Sequence, residues 1–144
     1  MAAPQRRGKA QKRGSRVKRI LPMLLITFGL NGCQEMEPID LTSLSPQERE
    51  AVTSLSWVRK ADAEKDARQA IERGDKRLLA MATRSPNMPG VPAESESKIK
   101  AVCGIRYLQG STDMVFGETH LKLLQAAQAY AVEYNRLMLD ACLK

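Results

Sequence analysis

Few side chains in this sequence could do covalent or ligating chemistry: three cysteines, Cys33, Cys103 and Cys142, and a single histidine, His120. Two thiols and a distant imidazole lack the closely spaced pairs from which tetrahedral zinc sites are built, so no metal site is expected. The chain has no Gly-x-Ser-x-Gly elbow, no His-Glu-x-x-His pair, no Cys-x-x-Cys and no glycine-rich phosphate loop. His120 has no motif that would supply a nucleophile or an orienting group, and no acid pair can be assigned to glycoside chemistry without geometry. Neither catalysis nor a cofactor is therefore expected. What is left is thiol chemistry, and the setting of each cysteine decides what kind.

Cys33 divides the chain by charge. Eight of the 23 basic residues precede it, Arg6, Arg7, Lys9, Lys12, Arg13, Arg16, Lys18 and Arg19, with no Asp or Glu among them. The 15 that follow face 16 acidic residues, so the formal charge falls from +7 for the whole chain to −1 beyond that point. Phosphate-backbone affinity needs basic side chains that stay on the folded protein, which argues against a nucleic-acid partner. An uncleaved basic cytoplasmic protein that binds nucleic acid is the reading this charge split disfavours.

Between the basic leader and Cys33 lies Ile20 to Leu30, ILPMLLITFGL, uncharged but well short of the roughly 20 apolar residues that span a bilayer. A positive start, a short apolar core and small residues at its end make a secretory signal. Leu30-Asn31-Gly32-Cys33 then resembles the lipobox of bacterial lipoproteins: an aliphatic residue, a tolerant position, a small residue and cysteine. That resemblance covers residues 1–33. It implies cleavage between Gly32 and Cys33, a diacylglyceryl thioether on the Cys33 sulfur and an acyl group on its new amino end. Two or more chains give stable anchoring where one gives reversible binding. Gln34 in place of Asp resembles the pattern sent onward to the outer membrane, which implies a cell-envelope protein facing the periplasm.

With Cys33 lipidated, Cys103 and Cys142 remain as an even pair in an oxidising space, and a disulfide between them is expected. Closing a loop of about 40 residues restricts the unfolded chain by about 4 kcal/mol in the chain-entropy model. The domain organisation that follows is a signal peptide over 1–32, a tether over 33–44 and one helical domain over 45–144.

The elements that must position these groups read mostly as helices. Ser45-Pro46-Gln47-Glu48 has the residues of a capped helix start, and Ala51, Val52, Leu55 and Val58 recur at helical spacing behind it. A slimmer alanine stripe, with Glu64 four residues before Arg68, predicts a second helix over 61–73. Gly74 reads as its C-terminal cap, and Asp75 as a fresh N-cap for a short segment through Leu78, Leu79, Met81 and Ala82. Ser85 to Pro92 holds three prolines and a glycine and must be a loop. Ile99, Val102, Cys103, Arg106 and Tyr107 fit a further helix, although VCGIRYL alone could pass for a strand. Gly110 to Gly117 has turn chemistry, with Met114, Val115 and Phe116 expected to fold back on the core. From Glu118 to near Cys142 runs the longest helix.

The fold class is therefore mainly α, a small bundle of about four helices tied by Cys103 and Cys142. On the last helix, Leu121, Leu124, Tyr130, Tyr134 and Met138 stand out as candidate contacts for an envelope protein partner. They would line an apolar groove of a binding or assembly module. The alternative is a periplasmic carrier in which the same stripe lines a cavity for lipid or another small ligand.

Overall fold

A computed structural model describes residues 38–85 and 87–144. The lipobox-like stretch, Gly32 and Cys33, and the first part of the expected tether lie outside the described residues. The rest is mainly helical, as the periodicity requires.

Ser45 caps helix α1 (Pro46–Leu55): its hydroxyl accepts the Glu48 N–H at 3.2 Å, and Pro46 occupies the first turn, where its missing N–H costs nothing. Val52 and Leu55 are buried, and a following 3-10 turn, Ser56–Lys60, carries Val58 into the same core. Asp62 caps α2 (Ala63–Glu72) by accepting the Lys65 N–H at 3.0 Å. On its outer face Arg68 pairs with Glu64. Ala67 and Ala70 face inward, and their small size lets α2 pack closely on the last helix. At its end Gly74 takes φ +77°, with Gly74 N–H bonded to Ile71 O and Asp75 N–H to Ala70 O, both at 2.9 Å. This paired closure is the Schellman ending expected of glycine at that position.

Two expectations are corrected beyond Gly74. Asp75 opens no helix: its carboxylate turns to Arg77, and Leu78–Ala80 form strand β1. All three strand residues are buried, so neither a helical nor an alternating pattern could show. Helix α3 (Glu96–Cys103) also stops short of Tyr107. Gly104, at φ +74°, redirects the chain into strand β2 (Ile105–Tyr107). The partner that an isolated strand needs is β1: the two run parallel, with Leu78 opposite Ile105, Leu79 opposite Arg106 and Ala80 opposite Tyr107. The proline-containing loop and α3 form the crossover that a parallel pair demands.

Helix α4 (Glu118–Cys142) is the spine, packed against α1, α2 and β1. Leu123, Leu124, Ala127, Ala131, Tyr134 and Met138 supply its buried face. Near its end Cys142 is disulfide-bonded to Cys103 at the end of α3, with the two Cα atoms 5.8 Å apart. Among the described residues no helix is long and apolar enough to cross a membrane.

The described end of the expected tether is part of the domain. Ile39 and Leu44 pack against the core, and Asp40 caps a short 3-10 turn, Leu41–Ser43. Met114 and Val115 do not fold back as a plug, since both are more than half exposed. Phe116 alone turns inward, its ring 5.5 Å from that of His120.

Candidate functional site

Two buried polar side chains on α4 organise the domain. Asn135 is fully buried, and its amide does the work of a third strand: Oδ1 accepts the Leu79 N–H at 2.7 Å, and Nδ2 donates to Leu79 O at 2.9 Å and to Pro89 O at 2.8 Å. One edge of the two-stranded sheet is thereby closed, and the proline loop is fastened to it. His120 is equally buried. Its Nδ1 accepts the Phe116 N–H at 3.2 Å, so the proton of the neutral ring sits on Nε2, which has no hydrogen-bond partner among the described residues. Burial lowers the His120 pKa below its usual 6.5, and the Glu48 carboxylate on α1 opposes that shift.

The face where the sheet meets α2, α4 and the turn after α1 holds the richest surface chemistry. There Trp57, Leu79, Arg106, Tyr107, Leu108, Gln109 and Tyr130 line an open cleft of about 280 Å³. Trp57 and Tyr130 meet edge to face, with centroids 5.3 Å apart. Their polar atoms are already engaged: Trp57 Nε1–H donates to Gln109 O at 3.2 Å, and Tyr130 O–H donates to Asp66 Oδ2 at 3.0 Å. Burial, followed by that hydrogen bond, raises the Tyr130 pKa well above its normal value. Tyr107 stands on the rim at 51% exposure.

Behind the cleft the Arg106 guanidinium lies 5.8 Å from the Tyr134 ring centre, with Nη2 at 3.5 Å from the phenol oxygen. Asp75 nearby is fully engaged by Arg77, with Nε to Oδ1 and Nη2 to Oδ2 both at 2.9 Å, and that hydrogen bonding holds its carboxyl down at about 2. No carboxylate pairs with Arg106, Arg73 or Lys76 among the described residues, and all three are exposed. The arrangement can therefore offer apolar ring faces and positive charge to a ligand. No group of three or more His, Cys, Asp or Glu residues that could hold a metal ion occurs among the described residues.

Burial divides the five contacts expected from the last helix. Tyr134 and Met138 are buried almost completely in the domain's own core, whereas Leu124, mostly buried, still lines a shallow depression beside Leu121. Leu121, at 39% exposure, lies apart from the aromatic cleft in a shallow depression with Thr83, Asn87 and Gln125. Tyr130 alone of the five reaches the cleft. Reasoning from the sequence passed over Trp57, Arg106 and Tyr107 as a group. Their aromatic and cationic types were the available signal, but the turn after α1 and the strand β2 that bring them together come from distant parts of the chain. Comparison with known proteins gave no matching family model, no matching curated protein and no matching solved structure.

Proposed function

We propose that the protein is a membrane-anchored lipoprotein of the bacterial cell envelope. In this reading Cys33 carries the lipid, and the helical domain is a non-catalytic binding or assembly module on the periplasmic face of the outer membrane. The observation that carries the reading is the sequence Leu30-Asn31-Gly32-Cys33 at the end of an uncharged run, behind a leader that holds eight basic residues and no acidic ones. The disulfide between Cys103 and Cys142 supports it, because such bonds persist in oxidising compartments. The aromatic and cationic cleft, with its own polar atoms already paired, supports a role in binding.

Density-gradient fractionation of cells making the protein and its Cys33→Ser variant tests the anchor. The unaltered chain is expected in the outer-membrane fraction, with the variant released to the soluble periplasm or left unprocessed. Identical distribution of the two would overturn the reading.

A further inference from the structure

We propose that the free edge of β2, with the aromatic cleft beside it, receives an extended acidic segment of another protein as an added strand. This rests on the binding-module reading above and gives it a surface and a class of partner.

The two edges of the sheet are treated differently. In the parallel ladder, Leu78 N–H donates to Gly104 O and Leu108 N–H to Ala80 O, so Gly104, Arg106 and Leu108 direct their backbone groups toward β1. By the same alternation, Ile105 and Tyr107 direct theirs outward. On β1 the outward residue is Leu79, and the Asn135 amide satisfies both its N–H and its C=O. On β2 no group among the described residues bonds the N–H or C=O of Ile105 or Tyr107. β2 is a three-residue edge, and its outward positions, Ile105 and Tyr107, carry no lysine or proline to block pairing. An extended chain laid along this edge would find up to four backbone groups to pair with.

The cleft continues the edge through Tyr107, Leu108 and Gln109. An added strand projects alternate side chains to one face, so every second residue would meet the rings of Trp57 and Tyr130 on the face that Arg106 shares. Trp57 Nε1–H and Tyr130 O–H are already spent on Gln109 O and Asp66, so the rings offer apolar surface and call for an apolar or aromatic side chain. Charge sets the remaining preference. Arg106, which lines the cleft, and Arg73, near Tyr134 behind it, have no paired carboxylate among the described residues, while Asp75 is taken by Arg77 and Asp66 by Tyr130. This local positive excess selects a segment that also carries acidic residues.

Trp57 is the only tryptophan in the chain, so its emission reports occupancy of the cleft directly. The test titrates the protein extracted from its membranes in detergent with a blocked heptapeptide alternating glutamate and valine around a central phenylalanine. A saturable change in Trp57 emission is expected, weakened about tenfold or more by Arg106→Glu, the loss of one charge-assisted bond. A lysine-for-glutamate peptide should bind far more weakly. Of two peptides N-methylated at alternate positions, one should bind like the parent and the other should fail, because only one set of N–H groups faces β2. No saturable change, equal binding of the basic peptide, or equal binding of both methylated peptides would overturn the proposal. Cys33→Ser should bind the peptide unchanged, so loss of the anchor and loss of the peptide site are separate results.

Discussion

The two ends of α4 each bury one polar side chain completely and hold it in opposite ways. Asn135, toward the C-terminal end, spends its amide on three backbone partners, and seven residues later Cys142 is bonded to Cys103. His120, in the first turn, bonds only the Phe116 N–H, and its Nε2 stays unpaired. A buried polar group that is fully satisfied fixes its neighbours, whereas one left half-satisfied stores a cost. The segment leading into His120 is also where Met114 and Val115 face solvent. The C-terminal half of α4 is thus the rigid support of the sheet and its cleft, and the N-terminal turn is its weaker end.

The largest effect is expected at Asn135. Asn135→Ala leaves Leu79 N–H, Leu79 O and Pro89 O buried without partners and should destabilise the domain by about 4 to 5 kcal/mol in urea unfolding. Amide exchange at Leu79 should accelerate with it, and a loss below about 1 kcal/mol would show that the amide is not the support described here. Next in size, replacing Cys103 and Cys142 by serine should cost about 3 kcal/mol by the same measurement. The effect should vanish when both forms are compared in reductant.

A smaller effect follows from pH at the other end. Burial lowers the His120 pKa, so below its usual 6.5 the unfolded chain takes up a proton that the folded chain refuses. Stability from this group is complete above about pH 6.5 and declines as pH falls toward the lowered folded value. Urea midpoints at several pH values should show the decline, and His120→Leu should remove it. A slope unchanged in His120→Leu would assign the effect to other groups. The smallest change is expected midway along the helix, where Tyr130→Phe removes the bond to Asp66 at a cost of about 1 kcal/mol and leaves the ring edge to face with Trp57.

The helices were legible because their signals are local. Ser45 before Pro46, the alanine stripe of α2, Gly74 as a stop and the long stripe from Leu121 to Met138 all lie within one element. The sheet was not legible. Leu78, Leu79 and Ala80 are buried on every side, so their run has no period, and Arg106 and Tyr107 continue a helical spacing that only Gly104 interrupts. Asn135 reads in sequence as a polar break in an apolar stripe, and the backbone it completes lies 56 positions away. The cleft escaped for the same reason. Trp57 meets Gln109 across 52 positions, and Tyr130 meets Asp66 across 64. The disulfide was reached by another route, from the compartment implied by a resemblance around Cys33.

The most direct test of the anchored, oxidised domain is the intact mass of the protein taken from its native membranes without reductant. A mass matching residues 33–144 plus acyl chains, and rising by two hydrogens on reduction, is the expected result. A full-length mass without acyl chains, or a processed chain with Cys33 unmodified, would contradict the lipid anchor. A mass that does not change on reduction would contradict the oxidised pair.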